Sequence, residues 1–222
     1  MYKNIQLKLT KDGSHTIYIP ELDEHYHSIH GAINESIHVF LQSGFSFHPI
    51  LNLRILEIGF GTGLNAILTM IRAEEENRMV TYHAVELNPL PIKIIRQLNY
   101  PLLLEGIYKE KFRQVHEITW NIEHEITSLF RLKKILADIS DYELTGGYNL
   151  VYFDAFAPDK QPDMWKQEIL LKIYNAMDQG GILTTYSVKG EIKRKFENCG
   201  FHVEKIPGPP GKREMLRCVK KT

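Results

Sequence analysis

Three carboxylates stand where a chain could put them to use. Glu57 precedes the turn Gly59-Phe60-Gly61-Thr62-Gly63, Glu86 lies 23 residues beyond Gly63, and Asp154 follows the apolar run Tyr148 to Phe153. The glycines read G-x-G-x-G, not the G-x-G-x-x-G of dinucleotide sites, and a carboxylate at Glu57 suits a cationic ligand better than a pyrophosphate. Glu86 has the spacing of an acid that hydrogen-bonds ribose hydroxyls. Asp154 either caps the turn that follows it or faces a crevice, where its carboxylate could hold an amine and accept its proton directly or through water. Alkylamines are protonated at neutral pH, with a lysine-like pKa of ~10, so using one as a nucleophile calls for such a group.

These side chains are useful only if strand ends bring them to one place. Leu53, Ile55, Leu56 and Ile58 read as a buried parallel strand, and Leu64, Ile67, Leu68 and Ile71 recur at helical spacing to about Asn77. A strand that breaks into glycines and restarts as a helix aims backbone N–H groups at a ligand. Further strands are expected over 80–87, 115–122, 148–154, 182–186, 201–206 and 214–219. Helices are expected over 92–98, 123–138, 164–177 and 191–199, with 101–111 a loop or short helix. Upstream, residues 3–19 alternate around Asp12-Gly13 as a β-hairpin, and 21–43 reads as a helix with Ile29, Ile33, Ile37 and Phe40/Leu41 on one stripe. Strands alternating with helices give an α/β, doubly wound sheet. One domain is expected over 1–222, with 1–45 an N-terminal hairpin/helix cap over the ligand crevice and 46–222 the core.

Composition narrows the classes. The chain of 222 residues is 43% hydrophobic and 24% charged, as globular proteins are, and its formal net charge of zero argues against a generic polyanion binder. The charge is uneven: residues 187–222 hold ten Lys/Arg against four Asp/Glu, a balance of +6. That end is either a face that touches nucleic acid or a solvated surface. Cys199 and Cys218 have no C-x-x-C spacing and read as reduced, structural thiols of a cytosolic protein. No targeting segment or membrane span is evident, so a cytoplasmic location is expected. His25, His27 and His30 lack partners at ligand spacing, and no metal is expected.

The strand followed by Glu57-x-Gly59-x-Gly61-x-Gly63 and a helix resembles motif I of class I S-adenosyl-L-methionine-dependent methyltransferases, which have a Rossmann-like fold. A narrower likeness covers nearly the whole chain in order. DGSHTIY (12–18), GAINESIHVFL (31–41), EIGFGTGLN (57–65), DAFAPDKQPDMW (154–165), YSVKG (186–190) and GKREML (211–216) together resemble the methyltransferase part of the MnmC family. The resemblance implies N-methylation of the aminomethyl group of a wobble (2-thio)uridine in tRNA, with S-adenosyl-L-methionine as cofactor and the anticodon stem-loop as partner. It also implies the stand-alone form, without the FAD-dependent oxidase domain, the amine being supplied by another enzyme.

Residue by residue, the resemblance implies that Glu57, Gly59, Phe60, Gly61, Gly63 and Glu86 hold the cofactor, with Glu35 on its cap side, and that Asp154 orients the amine. Family members place Gly-Asp after the third strand to meet the adenine; the corresponding region here reads Trp120-Asn121-Ile122-Glu123, which leaves Asn121 or Glu123 for that task. Phe156, Trp165 and Tyr186, with Pro158 in the same string, either stack on a splayed base or belong to the core. Lys189, Lys212 and Arg213, with Lys160, Lys193 and Arg194, either meet phosphates or are solvated charges. Two other readings compete: an aminopropyltransferase acting on small amines, and a non-catalytic tRNA-binding module. An acidic polyamine pocket would favour the first, and failure to bind the cofactor the second.

Overall fold

The computed structural model describes residues 4–104 and 108–221. In chain order, β1 (Gln6–Leu9), β2 (His15–Ile19) and β3 (Glu24–His25) precede α1 (Ala32–Ser36), which continues as a π-helix (Ile37–Phe45). The core then runs β4 (Asn52–Ile58), α2 (Leu64–Glu75), β5 (Met79–Glu86), α3 (Ile92–Ile95), α4 (Tyr100–Leu103) and α5 (Tyr108–Glu117). It continues with β6 (Glu123–Thr127), β7 (Phe130–Leu136), β8 (Tyr148–Phe153), a 3₁₀ turn (Pro162–Trp165) and α6 (Gln167–Ala176). It closes with β9 (Met177–Thr185), α7 (Gly190–Cys199), β10 (Phe201–Pro207) and β11 (Glu214–Lys220).

The eight core strands form one sheet in the order β10-β11-β9-β8-β4-β5-β7-β6. The five central strands are parallel, and β6, β10 and β11 run antiparallel to their neighbours. Because side chains alternate along a strand, the sheet builds a separate apolar layer on each face. Ile55, Tyr82, Leu132 and Tyr152 pack with α2, α5 and the π-helix, whereas Leu56, Val85, Ile135 and Phe153 pack with α6 and α7. Both cysteines are buried free thiols of the second layer.

The order of strands reverses between β4 and β8, since the chain leaves β4 toward β5 and later returns on its other side. A crevice opens at that point, outside the carboxyl ends.

Two stretches depart from the sequence reading. Residues 115–122 are not a strand, nor is 123–138 a helix: α5 ends at Glu117, and β6 and β7 form a hairpin over 123–136. Phe112 and Val115 are the buried face of α5 at helical spacing. In β7 the inward positions are Phe130, Leu132 and Lys134, and the lysine disguises the alternation. Its ammonium donates to the His116 carbonyl at the end of α5, and the charge lies 4.7 Å from the Trp120 ring centre. Burial lowers its pKa to about 8.

The expected helix over 21–43 also starts later. Asp23 (φ +48°) turns the chain into β3, and Gly31 (φ +143°) precedes α1, whose Asn34 N–H is accepted by Asp12 from the hairpin. Within 101–111, the described residues form α4 and the start of α5; residues 105–107 lie outside the described residues.

Arg78 ties the end of the π-helix to the sheet. Only 5% exposed, it donates to the carbonyls of Phe45 (2.7 Å), His48 (2.8 Å) and Ile50 (3.1 Å). Arg78→Ala leaves those buried acceptors unpaired and is expected to lower unfolding free energy by about 3 kcal/mol, read from urea denaturation.

Candidate active site

The crevice is a cavity of about 790 Å³, within the range of small-molecule sites. Its floor is made by turns leaving parallel strands. Past β4, Gly59, Gly61 and Gly63 all take positive φ (+92°, +49° and +70°), and the Gly59 N–H donates to the Val85 carbonyl at 2.9 Å. A Cβ on Gly59 would lie 2.9 Å from the Asp154 carbonyl oxygen, so only glycine permits the loops after β4 and β8 to approach this closely.

Carboxylates surround this turn. Glu86, at the end of β5, accepts from the N–H groups of Gly61 (3.0 Å) and Asn88 (2.7 Å), one on each oxygen. The remaining lone pairs are left for ligand hydroxyls. Asp138, just beyond β7, accepts from both the N–H and the hydroxyl of Ser140, and these bonds hold its pKa below the usual value. Asp154, just beyond β8, accepts at Oδ2 from the Asn65 amide at 2.9 Å. Withdrawal from water, reinforced by the charge of Glu35, raises Asp154 to about 7.

The N-terminal segment forms the opposite wall through Tyr26, His27, Ser28 and Glu35. His27 contacts the Thr62 hydroxyl at 2.8 Å, and burial lowers its pKa to about 4, so it is neutral at pH 7. Glu35 accepts from the Ser28 N–H (2.7 Å) and from Lys212 (2.9 Å), whose ammonium lies 3.9 Å from the Tyr186 ring centre. Phe156 meets Tyr26 edge to face, and the Tyr186 hydroxyl donates to the Ala155 carbonyl.

Of the residues singled out in the sequence, Asp154, Gly59, Phe60, Gly61, Glu86, Glu35, Phe156, Tyr186 and Lys212 line this one cavity. Others do not. Glu57 is 1% exposed beneath the floor, where Oε1 accepts from Asn65 at 2.9 Å and Oε2 has no hydrogen-bond partner among the described residues. Burial pushes its pKa well up, which favours a protonated acid over a counter-charge. Gly63 shapes the start of α2 without lining the cavity; a Cβ there would meet the His116 ring at 2.8 Å.

Asn121 and Glu123 are displaced altogether. Asn121 receives the Leu136 N–H, and Glu123 lies on edge strand β6 beside His83 at 3.7 Å, because 123–136 is a hairpin. Ala137-Asp138 is the pair that follows the strand next to β5 and reaches the cavity. Trp165 is core: 1% exposed, it packs on Phe153 and donates to the Phe156 carbonyl at 2.8 Å. Pro158 is buried outside the cavity lining. Lys189 is paired with Asp159 at 2.8 Å, and Arg213 is exposed beyond the lining. Lys212, read as a phosphate contact, instead makes the ion pair with Glu35.

Sequence reasoning also passed over Asn65, Tyr26 and Asp138. The first stood in view within GTGLN; the other two were hidden by the misread segments. Among the described residues, no group of three or more His, Cys, Asp or Glu could hold a metal, and no helix is long and apolar enough to cross a membrane.

A family model described as S-adenosyl-L-methionine-dependent methyltransferase matches residues 104–221. The chain belongs to this family. Its Rossmann-like sheet is shared with MnmC2 from Aquifex aeolicus at a TM-score of 0.83 and 27% identity, over 99% of this chain and 72% of that one. The tRNA 5-methylaminomethyl-2-thiouridine biosynthesis bifunctional protein MnmC of Leptospira interrogans is 28% identical over 94% of this chain and 34% of its own length. The chain thus spans about a third of that relative. Spermidine synthase from Thermotoga maritima aligns at a TM-score of 0.57 and 12% identity, over 97% of this chain and 72% of that one, a likeness of fold alone.

S-adenosyl-L-methionine is the cofactor of this methyltransferase. The cavity fits it on two counts. The glycine turn leaves no room for side chains where the floor meets Asp154, and Glu86 and Asp138 are held by N–H donors while keeping acceptor capacity on the cavity side. Asp138→Ala is expected to weaken binding of S-adenosylhomocysteine by about tenfold in calorimetry, the value of one charge-assisted hydrogen bond. Glu123→Ala should leave binding unchanged.

Proposed function

We propose that the chain N-methylates the primary amine of a 5-aminomethyl(-2-thio)uridine at the wobble position of tRNA. The carrying observation is that Asp154, the glycine turn and Glu86 share one cavity whose far wall is aromatic and accessible. The names of the relative from Leptospira and the neighbour from Aquifex support the tRNA substrate. Tyr26, Phe156 and Tyr186 are suited to receive a splayed base from a single-stranded loop.

The cofactor supplies an electrophilic methyl group on a sulfonium, and its leaving group departs neutral without acid assistance. The chain has to present a nitrogen with a free lone pair, in line and out of water. In this reading Glu86 and Asp138 fix the nucleoside end, and Gly59 and Gly61 keep the floor low. Asp154 accepts a hydrogen bond from the ammonium form of the substrate and takes its proton. Lys212 raises the cost of a second positive charge nearby and so favours the neutral amine. Exposed Arg213 and Arg194 would meet phosphates outside the cavity.

The direct test is to incubate the purified chain with S-adenosylmethionine and tRNA carrying 5-aminomethyluridine, then digest to nucleosides for mass spectrometry. A single added methyl at that nucleoside is expected; an unmodified nucleoside overturns the reading. Asp154→Asn is expected to lower kcat by about 10²- to 10⁴-fold with cofactor affinity retained. Only the ionised form of Asp154 can accept a proton, so activity should fall as pH drops through about 7, where that group protonates. Arg194→Ala combined with Arg213→Ala should weaken tRNA binding and reduce its salt dependence by about two phosphate contacts.

A further inference from the structure

We propose that Asn65 is a positioning residue: its amide clamps Glu57 and Asp154 together and thereby turns one Asp154 oxygen toward the cavity as the proton acceptor. The inference rests on the reading of Asp154 given above and adds a residue to it. Asn65 is 2% exposed in the first turn of α2, and its Nδ2 lies 2.9 Å from Glu57 Oε1 and 2.9 Å from Asp154 Oδ2. An –NH₂ group has two hydrogens, and each carboxyl takes one. Among the described residues, Asn65 Oδ1 and Glu57 Oε2 are buried with no hydrogen-bond partner, so the amide's strong contacts are these two. With Asp154 ionised, the amide must face it nitrogen-first.

The clamp fixes Asp154 at both ends. Its backbone N–H donates to the Ile58 carbonyl at 3.1 Å, and its Oδ2 is held by Asn65. Oδ1 makes no hydrogen bond to a described residue and belongs to a side chain that lines the cavity. Among uncharged side chains only asparagine and glutamine offer two donors from one planar nitrogen, and glutamine is longer by a methylene, which would displace the nitrogen from both acceptors.

Asn65 also bears on how readily Asp154 ionises. Groups from every neighbouring element act on Asp154: Glu57 from β4, Tyr82 from β5, Glu35 from α1, Tyr186 after β9 and Lys212 from the β10–β11 turn. Burial and Glu35 push Asp154 toward its protonated form, while the hydrogen bond from Asn65, with the charge of Lys212, pulls it back. Glu57 is buried more deeply and keeps its proton. Removing the amide therefore disfavours the ionised Asp154 and moves its titration upward.

The experiment follows that titration directly, by ¹³C-carboxyl NMR of labelled aspartates in the S-adenosylhomocysteine complex, with Asp154→Asn identifying the resonance. In Asn65→Leu the ionisation constant of Asp154 is expected to fall about tenfold, one pH unit. The acid limb of kcat against pH should move by the same amount, and S-adenosylhomocysteine affinity should stay within about twofold. Asn65→Ser, whose hydroxyl serves one carboxyl only, is the milder variant, with about a threefold change expected. An unmoved titration in whichever variant folds overturns the clamp. Should the wild type fail to methylate the tRNA, the functional reading fails, and the NMR titration still decides the role of Asn65.

Discussion

Everything at the site depends on how closely three parallel strands can end beside one another. Ladder bonds continue one residue past the sheet, from Gly59 to Val85 and from Asp154 to Ile58, so that the turns after β4 and β8 touch. That contact sets Asp154 against the glycine turn, and the neighbouring pairing of β4 with β5 sets Glu86 against Gly61. Acids at positions 57, 86, 138 and 154, at the strand ends or just beyond and separated by 29, 52 and 16 residues along the chain, thereby converge through backbone geometry alone. Side chains refine the place; the sheet creates it.

Convergence of this kind brings like charges together, and burial separates their roles. Glu86 and Asp138 each accept from N–H groups, and those to Asp138 favour its carboxylate form. Glu57 lies beneath the floor, away from water, and favours the acid. Asp154 stands between these extremes, at about 7. A graded series of environments lets one crevice hold several acids without all of them being ionised.

The sequence was most informative where local chemistry is obligatory. A glycine turn between an apolar run and an amphipathic one has few alternatives, and Gly59, Gly61 and Glu86 were readable from spacing. The hairpin at Asp12-Gly13 was equally plain, since its turn and its alternation agree. Reading failed where tertiary context overrides pattern. Lys134 occupies an inward strand position because the end of α5 offers it a carbonyl and Trp120 a ring, neither visible in sequence. Losing that strand shifted the next acid from Asp138 to Glu123. Trp165, left by the sequence as either a stacking residue or core, is core, and its indole N–H is spent on the Phe156 carbonyl.

The bond between Glu35 and Lys212 joins positions 177 apart in the chain. During synthesis, the amino-terminal half of the roof emerges long before its counterpart in the β10–β11 turn exists. The parallel centre of the sheet can assemble from earlier segments, whereas this closure waits for the β10–β11 turn to leave the ribosome. Its loop entropy is repaid only by contacts already made below it. Closure of this wall over the cavity should therefore come well after the central strands have paired.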